Sequence, residues 1–528
     1  MRHMWSVFLG CVALSCGSWC MAQVAVTTYH NDNYRSGANT NETQLTLQNV
    51  ATQTFGKVAV FPVTGQVYAQ PLYVPGVMIG GTSHNVVFIE TEHDQAYAYD
   101  VNSGALLWHT SFLGSPDTQI VVTPIQSSDL GCGDMTPEIG ISGTPAIDTS
   151  TNTIYMVALT KQYNVRTQVT TFSQTLYGLD LVNGQQRVAP RVISATAPGT
   201  GNGSVGGILT FDPLYEGQRT GLLLENGVLF VSWASHCDFG NYHGWLMSFN
   251  KTSLALEGVF VDTPNGEEGG FWASGSGPAA DSAGSIYAPT GNGDFTGDSG
   301  GTDFGDSILR LNYSGGTFSL MDYFTPWDEQ TLDDNDRDVA SGGVTLLPDQ
   351  PGAQYPHLLI QAGKEGTIDL INRDNMGHWN EGNDDQIVQT LPYAIGGLFG
   401  SAAFWNNYAY FGGINDNLKA FTYDPNAQQL STAPTSESPE LIYFPGPTPS
   451  ISSNGTSNGI VWIIEGDGVY AVLRAYSATN LANELYNSEQ NSQRDRPGVP
   501  IKFVVPTIAD GHVFVGGQDQ VAMYGLLH

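Results

Sequence analysis

A short β unit recurs eight times along the chain, and few folds accommodate so many copies of one small sheet. Each copy opens on Pro or a small residue, continues with an apolar run, and passes through a second run ending near Asp or Asn. The first copy is the clearest: Pro71, then Val86-Val87-Phe88-Ile89, then Ala96-Tyr97-Ala98-Tyr99-Asp100, then Gly104 to Trp108. Later copies are marked by Ile154-Tyr155-Met156-Val157, Val228-Leu229-Phe230-Val231, Ile286-Tyr287-Ala288 and Leu358-Leu359-Ile360. Tyr408-Ala409-Tyr410-Phe411, Ile460-Val461-Trp462-Ile463-Ile464 and Val513-Phe514-Val515 complete the set. Such runs, bounded by Gly, Asn, Asp and Pro, read as strands and turns, and their repetition reads as a repeat architecture. No stretch sustains an apolar period of about 3.6 residues over three turns, and two stacked β-sandwiches would explain neither the recurring unit nor its incomplete ends.

The eighth copy ends at His528, before a fourth strand, and would leave a sheet edge open. The lone run Phe55 to Pro62, ahead of the first copy, would fill it. The expected fold is therefore an all-β, eight-bladed β-propeller, its ring closed by an N-terminal strand that completes the last blade. It forms one domain over 23–528, behind a signal peptide at 1–22. Arg2 and His3 are that signal's basic start, Met4 to Leu14 its apolar stretch, and the cut falls before Gln23. The apolar stretch is too short to cross a bilayer, which takes about 20 residues. A secreted or periplasmic protein without a transmembrane anchor is expected. Cys132 and Cys237 remain after the cut and are expected to pair as a disulfide; two thiolates on a metal are the alternative.

Charge limits the partners. A net charge of −32, from 18 Lys+Arg against 50 Asp+Glu, repels nucleic acid and anionic membranes. It leaves calcium the favoured ion, and a monomer is expected. The long inserts 117–138, 192–218, 321–339 and 426–449 place loops on the faces, where function usually sits. Cys132 lies beside Asp134 and Glu138, and Cys237 lies between His236 and Asp238 with His243 close by. A bridge would draw these five acids and histidines into a metal pocket or a polar rim that grips a ligand. A stapled loop with surface polar residues is the alternative.

The sequence resembles the quinoprotein alcohol dehydrogenase-like superfamily, and within it secreted bacterial PQQ-binding-like β-propeller repeat proteins. The likeness spans nearly all of the chain after residue 22. It is carried by His30-Asn31-Asp32-Asn33-Tyr34-Arg35, Gly140-Ile141-Ser142-Gly143-Thr144-Pro145, Ser235-His236-Cys237-Asp238 and Tyr242-His243-Gly244-Trp245. It implies that Trp272 underlies a quinone ring, that Asn292 is a calcium ligand, and that Lys364 contacts the quinone. The catalytic Asp would lie in the acidic loop holding Asp328, Asp334, Asp336 and Asp338, with Asp336 and Asp338 as the candidates. Calcium would polarise a quinone carbonyl while that Asp takes the alcohol proton.

The chain also departs from the dehydrogenase pattern. It lacks the vicinal cysteine pair that covers the cofactor's other face, and it has no Cys-x-x-Cys-His haem motif. The Glu that ligates calcium in the second blade has no counterpart after Val157, where Lys161 and Gln162 stand. The expected function is accordingly a binding module that takes a small molecule, glycan or protein through its face loops and axial pocket. A PQQ- and calcium-dependent alcohol or sugar dehydrogenase is the alternative, and an envelope assembly scaffold a further one.

Overall fold

The structure, a computed structural model, describes residues 24–115, 117–466 and 469–527. The signal segment expected at 1–22 lies outside them. The strands form eight sheets of three to six strands and one two-stranded ribbon, Thr196–Pro198 with Ile208–Thr210. Each of the eight repeat copies occupies its own sheet. The first sheet is typical, an antiparallel meander of Leu72–Ile79, Thr82–Thr91, Gln95–Asp100 and Leu106–Ser111. The longest helix among the described residues, Glu329–Asp334, has 6 residues. No helix there is long and apolar enough to cross a membrane.

The apolar runs are continuous because both faces of the central strands are buried. Successive side chains of a strand point to opposite faces, so one run serves two neighbours. In Val228–Ser235, Leu229 and Val231 pack towards the second sheet with Val157 and Leu176, while Phe230 packs towards the fourth with Ile286 and Leu309. Leu359 likewise joins Tyr287 of the fourth sheet, and Leu358 and Ile360 join Phe404 and Phe411 of the sixth. Tyr410 meets Val461 of the seventh, and Trp462 meets Val513 and Tyr524 of the eighth. One further cluster joins Phe514 and Val521 of the eighth sheet to Phe88 of the first and Ile154 of the second. Every sheet thus shares a core with the next, and the last with the first.

Phe55–Gln66 pairs antiparallel with the end of His512–Leu526, from Phe55 opposite Leu526 to Phe61 opposite Val521. The start of His512–Leu526 pairs with Thr507–Ala509, so the N-terminal strand lies on the edge of the eighth sheet.

Residues 26–39 bind the first strands of the sheets in turn. Val26 exchanges backbone bonds with Tyr73, and Thr27 O accepts from Ile147 N. Asn33 Nδ2 donates to Leu224 O at 3.0 Å, and Asn33 O accepts from Ala280 N. The carbonyls of Tyr34, Ser36 and Gly37 accept from the amides of Leu346, Phe404 and Ile451. Asn39 Nδ2 donates to Ile508 O at 3.0 Å. An extended chain covers at most about 3.5 Å per residue, so all eight first strands converge within reach of this one short segment.

Arg35 holds the segment in place. It is fully buried, and its guanidinium donates to Pro278 O at 2.9 and 3.1 Å, Thr28 Oγ1 at 2.7 Å and Tyr29 O at 2.9 Å. Gly37 permits the turn beside it: its φ is +71°, and a Cβ would lie 2.3 Å from the His30 ring. A second tie is covalent. Cys132 and Cys237 form a disulfide with a Cα–Cα distance of 6.1 Å, linking positions 105 apart.

Two outcomes follow for stability. Arg35→Ala leaves several buried carbonyls unbonded and is expected to lower unfolding stability by about 3 kcal/mol in urea denaturation. Arg35→Lys, without the planar fork, is expected to rescue little of it. Cys132→Ser removes a long loop closure and is expected to cost about 3–5 kcal/mol by the same assay. Unchanged urea midpoints would contradict both.

Candidate functional site

Loops from seven sheets meet over the N-terminal segment and enclose two adjoining cavities of about 320 and 310 Å³, which share Asp134, Phe444 and Phe503. The second cavity is walled by Arg219, Cys237, Asp238, Trp272, Asp338, Lys364 and Phe399 among others. Tyr29 of the N-terminal segment lines the narrow space beneath, together with Tyr68, Arg219 and Phe503. The wall residues Cys237 (φ 55), Asp238 (φ 55) and Phe503 (φ 66), and Ala273 (φ 44), Ser274 (φ 44) and Asp336 (φ 52) near the wall residues Trp272 and Asp338, sit in the left-handed region without being glycine. Such backbone persists only where the surroundings over-determine it, and it concentrates at functional sites.

Two cations organise the charge. The Lys364 ammonium bridges Asp336 and Asp338. Burial works against that ammonium, but the two carboxylates outweigh it and raise its pKa. Asn292 braces the pair: its backbone N–H donates to Asp338 Oδ1 at 3.1 Å and its Nδ2 to Asp336 Oδ1 at 3.2 Å. Asn292 Oδ1 is buried and makes no hydrogen bond. Asp238 faces the same group. Burial raises its pKa, Tyr242 Oη donates to it at 3.0 Å, and Asp338 and Asp336 add repulsion that Lys364 partly offsets.

Arg219 is the second cation. Its guanidinium lies 5.1 Å from the Trp272 ring centre and 5.3 Å from that of Phe503. Its two polar contacts are long, 3.5 Å to Asp134 Oδ2 and 3.4 Å from Nε to Trp272 O. Burial lowers its pKa against the pull of Asp134, Asp338 and Asp238. Asp134 also pairs with Lys502; burial would raise its pKa, yet Arg219 and Lys502 hold it low. Burial and Arg219 push His236 down to about 4, so its imidazole is neutral at pH 7.

The structure separates the residues expected from the sequence into distinct neighbourhoods. Trp272, Asn292, Asp336, Asp338 and Lys364 come together. Asp238, from the loop after the third sheet's Val228–Ser235, lines the same cavity. The five residues expected around the disulfide do not converge. Asp134 and Asp238 line the axial cavity and His236 is buried beside them, but Glu138 accepts from His93 Nδ1 at 2.8 Å. His243 is held by Thr263 Oγ1 at 3.0 Å and Asn202 O at 2.9 Å. Among the described residues no three His, Cys, Asp or Glu side chains are placed to hold a metal ion.

A calcium ion between these carboxylates, and a quinone ring stacked on Trp272, fit this arrangement poorly. Lys364 stands between the carboxylates where calcium is expected, and Arg219 covers the Trp272 face where a quinone ring is expected. Asp336 and Asp338 act here as partners of Lys364. The sequence reading missed Arg219, Lys502, Phe399, Phe444 and Phe503. The scarcity of cations was a usable signal, because three of only 18 Lys+Arg border this one site.

No protein-family model matches the chain, and no curated protein is similar to it in sequence. Solved structures are similar in fold. Quinohemoprotein alcohol dehydrogenase from Comamonas testosteroni superposes with a TM-score of 0.61 at 13% identity, over 95% of this chain and 80% of that one. A quinohemoprotein alcohol dehydrogenase of Pseudomonas putida HK5 gives 0.58 at 12% identity, over 95% and 80%. A europium-containing methanol dehydrogenase gives 0.51 at 12%, over 94% and 82%. Likeness at such identities establishes architecture and not chemistry: the chain folds as a PQQ-like β-propeller.

Proposed function

We propose that the protein is a binding propeller whose axial cavity takes a flat, carboxylate-bearing small molecule. The observation that carries this reading is Arg219, a partly buried guanidinium set against two aromatic rings, whose polar contacts are all long. Guanidinium donors pair with carboxylates in a bidentate fork, and Arg219 satisfies few of its five N–H groups in that way. Phe399, Phe444 and Phe503 offer the apolar wall a flat ring system needs, and a site of this size suits a small molecule.

The same proposal takes the eight sheets as the blades of one closed ring, completed by Phe55–Gln66 on the edge of the last. The circuit of shared cores and the path of residues 26–39 support it. It also takes 23–528 as one domain released from a signal peptide into an extracytoplasmic, oxidising compartment, which the disulfide supports.

The second reading is a PQQ- and calcium-dependent dehydrogenase. One observation favours it, the buried and unpartnered Asn292 Oδ1 beside Asp338. It requires Lys364 to give up both carboxylates.

Titration with PQQ, a flat tricarboxylate, tests the binding reading. Saturable binding without calcium is expected, weakened at least about tenfold in Arg219→Ala, which corresponds to about 1.4 kcal/mol. No saturation at 100 µM PQQ, or equal affinity in the variant, would overturn it. Binding that needs calcium, together with dye reduction in the presence of an alcohol, would replace it with the dehydrogenase.

A further inference from the structure

A separate cavity of about 220 Å³ lies behind the loop that carries Asp336 and Asp338. Its floor is a row of three side chains across the fifth sheet, with Gln361 opposite Asp369 and Asp369 opposite Thr390 on adjacent strands. Gln361 is 1% exposed and Asp369 7% exposed, and both line the cavity. Gln361 Oε1 and Asp369 Oδ1 make no hydrogen bond. The Gln361 amide cannot turn to relieve this, because its nitrogen donates to Val339 O at 2.6 Å and Gly342 O at 3.0 Å. The Thr390 hydroxyl, itself unpartnered and opposite Asp369, can turn to that carboxyl, which leaves Gln361 Oε1 as the buried acceptor with no donor, a state that costs free energy wherever it is left unmet.

The rim repeats the same demand. Asp328, Asp384 and Glu365 line it, and the one cation among the lining residues, Arg337, pairs with Glu365 at 3.2 Å. Burial and then Asp384 push Asp369 up to about 8, and burial pushes Asp384 up to about 6. These carboxylates lack positive charge nearby. Trp327 and Tyr393 stand at the mouth, 45% and 67% exposed. Exposed aromatic rings beside carboxylates suit an organic cation, which gains both ion pairing and contact with the ring faces.

An anion would be repelled here. A bare divalent cation needs six or more oxygen ligands, and no three acidic side chains among the described residues are placed to hold one. We propose that this cavity binds a small primary ammonium compound whose N–H groups satisfy Gln361 Oε1 and Asp369 Oδ1 while its alkyl body lies against Trp327 and Tyr393. The site is independent of the axial cavity, which lies on the other side of the shared loop.

Isothermal titration of the full chain with 1,4-diaminobutane tests it, with butane-1,4-diol and calcium chloride as parallel titrants. Saturable one-to-one binding of the diamine alone is expected, weakened at least tenfold in Asp369→Asn. Trp327→Ala, on the exposed rim where folding is not at stake, is expected to weaken it several-fold. Absence of saturable diamine binding would overturn the proposal. So would undiminished affinity in both variants, or calcium binding that Asp369→Asn abolishes.

Discussion

The structure depends on the short segment at residues 26–39, which hydrogen-bonds to the first strand of every sheet. First strands are sheet edges, and a buried edge with unpaired N–H and C=O groups is costly. The segment meets that cost with its own backbone, with the Asn33 and Asn39 side chains, and with Arg35 at the centre. Arg35 suits the place because one planar group carries five donors to carbonyls that face it from different directions. Burial lowers its pKa only to about 10, so it stays charged at neutral pH. Through Tyr29 the same segment lines a small space that shares Arg219 and Phe503 with the axial cavity. The element that gathers the sheets therefore also shapes the site above them.

Much of the fold was legible in the sequence because each blade is a local object. Val228 to Val231 and Leu358 to Ile360 are unbroken apolar runs, and such a run signals a strand buried on both faces. The role of Phe55 to Pro62 could be read from the missing last strand. The inserts were less legible. Ile120–Gln126 extends the second sheet and Thr196–Pro198 forms a ribbon with Ile208–Thr210, although both stretches read as face loops. Their pairing is set by the neighbours they meet and not by their own pattern.

The site was partly legible, and for a different reason. Trp272, Asn292, Asp338 and Lys364 could be named because motif context marks them. Arg219 and Phe503 carry no motif, and only the convergence of loops from distant positions brings them together. Turn geometry then divides neighbouring residues between two chemistries. Asp336 and Asp338 turn to Lys364 at the axial cavity, while Arg337 and Val339 turn to the side cavity. Lys364 and Glu365 divide in the same way. An acidic loop that reads as the seat of one catalytic Asp thus lines two separate pockets.

The axial cavity combines aromatic walls with cations already matched to carboxylates, so a ligand there must offer something better to Arg219 than Asp134 does at 3.5 Å. A crystal structure of the protein grown with PQQ examines this directly. The expected result is ligand density in the axial cavity against Phe399, Phe444 and Phe503, with a ligand carboxylate within about 3 Å of the Arg219 guanidinium. Density confined to another surface, or an axial cavity holding only water while Arg219 keeps its contact to Asp134, would contradict it.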